Sequence, residues 1–549
     1  MSREFPIHWI EEIVDKIIAR KPNVAVISTG KTTSGRIHVG IMRELIISDA
    51  ITRRLKTRGY KAKFQFFVDD FDAAKKFPPD IPKEFKKYVG MTFNVIPDPY
   101  ECHESYGKHF AMELIDTFKE FGLNPEIIWT HEFYEKEETR EAIRTALKKV
   151  DIIRKIYEKY VAPTLAEDQR DSYIKELQHW YPLMVICEKC KHILGKRNGK
   201  IIPNRISDFD AERDVVEYTC NHCGHHGTVS ISKGTIKLTW RVDWPAKWAI
   251  TKVTCEPAGK DHCVKGGAYD TGLEICKEVF GYEGPIKVPY EWVRLGEYDM
   301  KTHKGITFTP SDFLAIAPPE VLRYLILKTD PMRGISIKPE FLPRLMDEFE
   351  DFEKKYYSDR CDDFTKYLYP LVYPDEKTPD HVFRIPFRFA IMMTQIEDIL
   401  GHEKVIEKCK EMVMKIYNIK YNDISDDDIK RIESTLKRAK NWLERYAPSK
   451  LKFRITDNIE EIKNKLTKEE KEGILRVAEA IKTQDMTENE LQNYIFQVGN
   501  SVKGLSPKRL FRAIYMAILN QKSGPRLAPL LLALDKKWVI DRLMAVASD

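Results

Sequence analysis

The sequence lacks the features that mark membrane and secreted proteins. No apolar run in its 549 residues approaches the roughly 20 that a membrane-spanning helix requires. No stretch at the start has the pattern of a signal peptide. The ten cysteines are too few for a disulfide scaffold in a chain of this length. We therefore expect a cytoplasmic location and no membrane partner.

Neither sign of charge is in large excess. The chain has 90 basic and 84 acidic residues, which gives a net charge of +6. This balance permits a nucleic-acid partner but does not require one. No internal repeat or low-complexity segment is present. The length predicts several domains of roughly 100–200 residues each, and a hydrophobic content of 43% is enough to form their cores.

Four of the cysteines form two C-x-x-C pairs, Cys187 with Cys190 and Cys220 with Cys223. Two such pairs about thirty residues apart are typical of a zinc ribbon, in which four thiolates surround Zn²⁺ tetrahedrally. Four protein ligands leave no open position, so the pattern favours a structural metal. A dithiol redox pair is the alternative.

The remaining cysteines and the nearby histidines have no such pattern. We interpret the histidines of the second pair as surface residues: His222, His225 and His226. The other six cysteines are interpreted as small buried hydrophobic residues: Cys102, Cys255, Cys263, Cys276, Cys361 and Cys409.

The order of apolar segments predicts an α/β domain followed by a helical one. Residues 23–29 have the composition of a buried strand, and residues 37–59 that of an amphipathic helix ended by Gly59. "KAKFQFFVDDFD" is the next strand. This alternation predicts a parallel, doubly wound sheet, which binds ligands at the carboxyl ends of its strands. The zinc ribbon interrupts it at 181–232, and after about Phe341 only helical patterns remain.

The stretch "TTSGRIHVGIM" (residues 32–42) forms the first strand-to-helix junction. A glycine-bearing turn that leads into a helix favours an anion, because the helix amides and dipole point at it. His38 could donate to a phosphate oxygen as charge develops. A turn without a ligand can contain the same residues, so the motif alone leaves both interpretations open.

Several longer blocks extend this motif. "TGKTTSG" followed by "RIHVG" resembles the HIGH signature of class I aminoacyl-tRNA synthetases. The chain as a whole resembles the class I lysyl-tRNA synthetases, found mainly in archaea and some bacteria. The blocks run in order along nearly the whole chain: "IPDPYECHESYGKHF", "TWRVDWPAKWAI", "EPAGKDH", "GGAYDTG", "APPEVLRYLILKTDPMR" and "SGPRLAPLLLAL".

The resemblance implies a domain order and a reaction. The fold would be a class I Rossmann-like catalytic domain (1–180 and 233–295) with a zinc-ribbon insertion (181–232). A stem-contact region with a KMSKS-like loop (296–345) and an all-α anticodon-binding region (346–549) would follow. Lysine and ATP with Mg²⁺ would give lysyl-adenylate, and the lysyl group would pass to tRNA(Lys). The oligomeric state stays open, with a monomer favoured.

The resemblance also implies site residues. For ATP these are Gly35, His38 and Gly40 in the signature, Gly259, Asp261 and His262 in "GKDH", and Met300. For lysine they are Gly30, Thr32, Trp240, His262, Glu283, Tyr290 and Trp292. A lysine pocket needs an aromatic sleeve and a counter-charge. We expect Glu283 to be that counter-charge, with Asp243 and Glu291 as rivals.

Two departures from the family pattern bear on activity. Ile41 stands at the fourth HIGH position, where His or Asn is usual. The KMSKS-like loop reads "DMKTHKG", with Asp299 and Thr302 at the two usual lysine positions. Losing one such contact could cost on the order of 10²–10³ in rate. Lys301 and Lys304 remain catalytic candidates by a shift of register.

Two hypotheses therefore stand. The chain is either an active lysyl-tRNA synthetase or a tRNA-binding paralogue with lost or weakened activation. A synthetase for another amino acid is disfavoured, because Thr32 and Trp240 match the lysine family.

Some residues have two interpretations at this stage. Trp244 and Trp248, which continue a four-residue spacing from Trp240, are predicted to be core. The other ambiguous residues are His103 and His109, either core or ATP site, and Asp69 and Asp70, either site or solvated loop.

Overall fold

The fold comes from a computed structural model that describes residues 8–197, 199–298, 300, 307–453 and 459–548. The chain divides into two compact units. The first comprises Met1–Phe313, Pro319–Ile337 and Ser358–Thr378, and the second comprises Leu314–Pro318, Lys338–Tyr357 and Pro379–Asp549. The predicted stem-contact region, 296–345, is thus not a compact unit of its own, and its role stays a prediction.

Fourteen strands lie in the described part of the chain. They are β1 Ala25–Thr32, β2 Ala62–Asp69, β3 Glu126–Trp129, β4 Leu183–Val185, β5 Leu194–Arg197, β6 Lys200–Pro203, β7 Arg205–Asp210, β8 Val215–Thr219, β9 His226–Ser230, β10 Ile236–Leu238, β11 Cys255–Gly259, β12 Ile286–Tyr290, β13 Val293–Leu295 and β14 Ile335–Ile337.

The α-helices up to residue 327 are α1 Trp9–Ala19, α2 Met42–Thr57, α3 Tyr106–Ile115, α4 Thr130–Phe133, α5 Glu137–Lys148, α6 Val150–Tyr160, α7 Glu167–Leu177, α8 Trp240–Thr251, α9 Lys260–Cys263, α10 Ala268–Glu278, α11 Pro310–Leu314 and α12 Pro319–Leu327. Those that follow are α13 Leu342–Tyr356, α14 Asp363–Val372, α15 Phe387–Leu400, α16 His402–Tyr417, α17 Asp426–Arg445, α18 Ile459–Lys463, α19 Lys468–Thr483, α20 Glu488–Ser501, α21 Pro507–Leu519, α22 Leu527–Ala533 and α23 Lys536–Ala547.

A five-stranded parallel sheet organises the first unit, in the order β12-β11-β1-β2-β3. The prediction of a parallel, Rossmann-like sheet is confirmed. The chain runs from β1 to β2 and β3 on one side and later adds β11 and β12 on the other. The order therefore reverses between β1 and β11. Ligands of open α/β sheets bind outside the carboxyl ends of the strands at such a reversal.

The first strand and helix form for simple reasons. The first five residues of β1 are all buried, as expected of a central parallel strand covered on both faces. After it, residues 39–41 make one 3-10 turn before α2 begins at Met42. Helix α2 ends where predicted, since Gly59 has φ +83°, a conformation that glycine adopts at little cost.

The zinc-ribbon insertion consists of short antiparallel strands. β4 and β10 pair at its base, β5 pairs with β6, and β7, β8 and β9 form a three-stranded sheet. Gly90, in the loop after β2, accepts from the backbone N–H groups of Ile193 and Leu194. The insertion is thereby fixed to a loop of the catalytic sheet.

Helices are the regular elements of the second unit within its described residues, as the apolar spacing predicts. Several of its helices begin with a capping box, in which Ser or Thr and an acidic residue three positions on satisfy the free N–H groups of the first turn. These pairs are Ser425 with Asp428, Thr467 with Glu470 and Thr487 with Glu490.

Within the described residues, no helix combines the length and the apolar character needed to cross a bilayer.

Candidate functional site

A cavity of about 430 Å³ opens at the carboxyl ends of β1, β2, β11 and β12. This is the reversal point of the strand order. Most of the predicted site residues line it: Gly30, Thr32, His38, Gly40, Trp240, Gly259, Asp261, His262, Tyr290, Trp292 and Met300. The sheet thus brings together residues that lie up to 270 positions apart in the sequence.

Two predicted residues do not line the cavity. Gly35 lies in the signature turn with φ +148° but is not part of the cavity wall. Glu283 is highly exposed and pairs with Arg20 at 3.7 Å. The catalytic candidates Lys301 and Lys304, with Asp299 and Thr302, lie outside the described residues.

The placement of Glu283 is therefore corrected, and strand register gives the reason. Tyr290, the last residue of β12, is level with Gly259 in β11 at the carboxyl edge of the sheet. Glu283 precedes the first residue of β12, at the opposite edge. The strand from Ile286 to Tyr290 alone separates the two edges by about 13 Å, at about 3.3 Å per residue.

His38 lies at the signature turn as a neutral hydrogen-bond donor. Its Nδ1 accepts from the N–H of Gly40 at 3.2 Å, so the ring proton is on Nε2. Burial, and to a smaller extent the charge of Lys31, lowers the pKa of His38 to about 4. Geometry and pKa agree that the imidazole stays uncharged at neutral pH.

The glycines of the site leave room for neighbouring side chains as well as for a ligand. A Cβ on Gly40 would lie 2.8 Å from the ring of His38, and one on Gly259 would lie 2.7 Å from Oδ1 of Asp261. Real Cβ atoms do not approach so closely. A substitution at Gly40 would therefore displace the histidine itself.

A network of buried charges forms one part of the cavity wall. Lys237 pairs with Asp72, and Lys247 pairs with Asp69 and, at 3.1 Å, with Asp243. Burial opposes the charge of Lys247, but Asp243 and Asp69 outweigh it and raise its pKa. Both ammonium groups therefore stay charged, and each of these three carboxylates already has a lysine as its ion-pair partner.

Hydroxyl groups complete this network. Thr32 donates to Asp72 at 2.7 Å, and Tyr134 donates to Asp243. The sequence left two interpretations for Asp69, a site residue or part of a solvated loop. The structure places it in the cavity wall. Asp70 is buried beside it and accepts from the N–H of His131 at 3.1 Å.

Glu44 is a cavity residue that the sequence did not reveal. It lies on α2, is buried, and accepts from the hydroxyl of Tyr290. Burial raises its pKa. Among the described residues, no basic side chain lies within ion-pair distance of its carboxylate. A buried carboxylate in this state favours a cationic ligand.

Aromatic rings form the wall next to this carboxylate. Trp240 stacks on Trp244, with ring centroids 5.9 Å apart and an angle of 19° between the ring planes. The ring centroid of His262 lies 5.5 Å from that of Trp240. The prediction that Trp248 is core is correct, since it is fully buried. Trp244 packs against the same core cluster but also lines the cavity, so it is more than a core residue.

Glu256, on β11, holds the tryptophans of α8 together. It accepts from the indole N–H of Trp244 at 2.9 Å and from that of Trp248 at 2.7 Å. Burial raises the pKa of Glu256 to about 7, and the charge of Glu44 acts in the same direction.

The four cysteines of the insertion converge as predicted. The sulfurs of Cys187 and Cys223 are 3.7 Å apart, and those of Cys190 and Cys220 are 3.6 Å apart. Four thiolates at the Zn–S distance of about 2.3 Å lie about 3.8 Å from one another in a tetrahedron. The donor set and its spacing therefore fit Zn²⁺.

The neighbouring histidines have other contacts. His222 stacks on His192 with centroids 3.6 Å apart, His225 lies 3.1 Å from Glu188, and His226 lies 2.9 Å from Thr219.

A second group of metal-ligand atoms went unrecognised in the sequence. Asp98, Cys102, His103 and His109 place one donor atom each within 4.8 Å of all the others. The sulfur of Cys102 is 3.1 Å from Nδ1 of His103 and 3.2 Å from Nδ1 of His109. Oδ1 of Asp98 is 3.2 Å from Nδ1 of His109. Sulfur, imidazole and carboxylate ligands suit Zn²⁺.

This cluster bears on two earlier interpretations. Cys102 is exposed rather than a buried hydrophobic residue. His103 and His109 both belong to the cluster and do not line the cavity, and His109 is buried, as the core interpretation expects. The spacing D-x₃-C-H-x₅-H in "DPYECHESYGKH" was the available signal.

Comparisons with known proteins agree with this geometry. The profile of the family described as tRNA synthetases class I (K) matches residues 7–371. The lysine–tRNA ligase of Methanocaldococcus jannaschii is 36% identical over 97% of this chain and 99% of its own length. That of Archaeoglobus fulgidus is 35% identical over 98% and 99%. Lysine–tRNA ligase 1 of Methanosarcina acetivorans is 35% identical over 97% of both chains. The chain belongs to the class I (K) family of tRNA synthetases.

Proposed function

We propose that this chain is a lysine–tRNA ligase that activates lysine with ATP and transfers it to tRNA(Lys). The observation that carries the proposal is the buried Glu44–Tyr290 pair beside the aromatic wall, in a cavity that also contains the signature turn. A long apolar side chain with a terminal cation fits an aromatic sleeve that ends in a carboxylate.

Glu44 is the best counter-charge for the lysine ammonium among the cavity carboxylates. Asp69, Asp72 and Asp243 are already paired with Lys237 and Lys247. Glu256 is occupied by two indole donors. The other rival, Glu291, pairs with Lys260 at 2.7 Å and does not line the cavity.

The reaction needs positioning and charge stabilisation rather than a covalent enzyme intermediate. The lysine carboxylate attacks the α-phosphate of ATP in line and expels pyrophosphate. His38 holds its Nε2 proton ready to donate to a phosphate oxygen as negative charge builds up. Lys31 also lines the cavity and adds positive charge on that side.

The other assignments in the site stay predictions. Gly40, Gly259, Asp261 and His262 would contact ATP, with Met300 beside them. The helical region 346–549 would read the anticodon of tRNA(Lys). Mg²⁺ would accompany ATP. We propose a monomer in the cytoplasm.

No observation favours the tRNA-binding paralogue. The cavity keeps a buried carboxylate ready for a cation and a neutral histidine donor at the signature turn. Ile41, one of the two departures, lines the cavity with an apolar side chain. The other departure, in the KMSKS-like loop, lies outside the described residues.

Pyrophosphate–ATP exchange with purified protein tests the proposed function. The assay covers all twenty amino acids, each with and without tRNA(Lys), because some synthetases need their tRNA for activation. We expect exchange with lysine alone among the twenty. Tight binding of tRNA(Lys) with no exchange under any condition would instead establish the paralogue.

We further propose that both metal clusters hold Zn²⁺. The four thiolates of the insertion would fix its two knuckles, and their sulfur spacing supports this. The Asp98 cluster would join the loop after β2 to the start of α3. When bound, the metal would cross-link irregular segments that border the hydrophobic cores of the first unit.

Metal analysis of the intact protein gives a direct prediction. We expect two zinc ions per chain, falling to one in Cys102→Ser, because the loss of its only thiolate weakens the second site strongly. Cys361→Ser is the matched control, since Cys361 lies in neither cluster. One zinc per chain in both the unmodified protein and Cys102→Ser would refute the second site.

A further inference from the structure

Glu256 is a buried carboxylate with no part in the chemical steps above. It is only 7% exposed. Its Oε1 accepts from Nε1 of Trp244 at 2.9 Å, and its Oε2 accepts from Nε1 of Trp248 at 2.7 Å. A carboxylate can accept at both oxygens without presenting a donor to either indole. The two distances are those of well-formed hydrogen bonds.

The two tryptophans differ in their surroundings. They are four residues apart on α8 and so share one face of the helix. Trp248 is fully buried, and its ring lies 4.9 Å from that of Tyr269. A Cβ on Gly272 would lie only 2.9 Å from it, so the backbone of α10 confines the ring. Trp244 faces the cavity. Glu256 therefore joins a confined ring to a ring that borders the cavity.

Trp244 in turn supports the rest of the aromatic wall. Trp240 stacks on it at 5.9 Å and is 46% exposed, so Trp244 covers its inner face. His262 meets Trp244 edge-on, with centroids 5.8 Å apart at 75°. Any rotation of the Trp244 indole would disturb both contacts.

We infer that Glu256 is a positioning residue for lysine: through the indole N–H of Trp244 it fixes the wall against which the substrate methylenes pack. The inference rests on the proposed function and adds a determinant of amino-acid affinity to it. His38 and Gly40 lie on the turn after β1 and have no contact in this chain of bonds. Lysine binding should therefore depend on Glu256 far more than ATP binding does.

Glu256→Gln tests this with little change of shape. Glutamine offers one acceptor oxygen and one donating NH₂, so one of the two indole N–H groups meets a donor. We expect the lysine KM to rise about tenfold, the effect of one lost charge-assisted hydrogen bond. The kcat and the ATP KM should change less than about threefold. Pyrophosphate exchange with tRNA(Lys) present, with lysine and ATP varied separately, measures all three.

Trp244→Phe approaches the same contact from the other side. Phenylalanine keeps an aromatic ring in the wall but has no N–H, so we expect a similar rise in lysine KM. Both changes remove the same hydrogen bond between Glu256 and Trp244. The lysine KM of the double variant should therefore be little higher than that of either single variant. Glu350→Gln is the matched control. Glu350 is a buried glutamate of the second unit that accepts from the N–H of Phe387 at 2.9 Å, and its change should leave the lysine KM unaltered.

The outcomes separate the inference from the proposed function. If the unmodified protein shows no lysine-dependent exchange, the proposed function is overturned, and the inference with it. Normal exchange combined with an unchanged lysine KM in Trp244→Phe overturns the inference alone, even if Glu256→Gln does not fold. A rise in lysine KM that is additive in the double variant also overturns it, because the two residues would then act separately.

Discussion

Glu44→Gln should abolish nearly all lysine-dependent pyrophosphate exchange, with kcat/KM for lysine falling on the order of 10²–10³. The change keeps the size of the side chain and removes its charge. The substrate ammonium would then enter a buried site without a counter-ion, a loss worth about 3–5 kcal/mol when one partner of a buried pair is removed. The carboxylate of Glu44 is buried and accepts a hydrogen bond from Tyr290. Bulk water therefore cannot stabilise the ammonium in its place.

The control for this experiment is Glu283→Gln, which tests the sequence-based placement at the same time. Glu283 is exposed and pairs with Arg20. We expect kcat/KM for lysine to stay within about threefold of the unmodified value, because surface ion pairs contribute roughly 0–1 kcal/mol. If Glu283→Gln removes activity while Glu44→Gln leaves it intact, the counter-charge is Glu283 and the assignment from the structure is wrong.

Tyr290→Phe gives a graded test of the same site. It removes one hydrogen bond to Glu44 but leaves the charge in place. We expect a loss of about 10- to 100-fold in kcat/KM for lysine, since a hydrogen bond to a charged group is worth about 1.5–3 kcal/mol. The two variants together separate the charge of Glu44 from its orientation.

The sheet and the signature turn could be predicted from the sequence because their signals are local. The apolar run of β1, the helical spacing of α2 and the stop at Gly59 all lie within sixty residues. The glycine-bearing turn and His38 follow directly from the strand. The position of His38 in the turn is therefore set locally, while its burial and lowered pKa depend on residues from elsewhere in the chain.

Glu44 could not be predicted because its burial is decided by distant strands. Residues 42–53 of α2 are all buried, so the charged residues of this stretch do not lie on a solvent-exposed face. The sequence pattern therefore does not distinguish Glu44 from a surface charge. Tyr290 arrives only when β12 pairs with β11, some 250 residues later. The same pairing removes Glu283 from the site, since loop spacing alone does not fix which edge of a sheet a residue occupies.

His38→Ala should lower kcat on the order of 10²–10³, with smaller changes in the KM values for lysine and ATP. This is the cost of removing one preorganised donor from a site where charge develops in the transition state. The prediction depends on Nε2 carrying the proton, which follows from the bond that Nδ1 accepts from Gly40. His38→Gln, whose amide can donate near the same place, should recover part of the loss.

The pH dependence of kcat distinguishes this role from that of an ordinary titrating histidine. Burial holds the pKa of His38 at about 4, below its usual 6.5, so the neutral donor is present at every pH above that value. Between about pH 8 and about pH 5, His38 should not titrate. The change of kcat with pH should therefore be the same in the unmodified protein and in His38→Gln. His402→Ala, a surface histidine of the second unit paired with Glu397, serves as the control and should match the unmodified protein. A fall in kcat centred near pH 6.5 that His38→Gln abolishes would mean that the imidazole titrates in the complex, and the buried neutral donor would have to be given up.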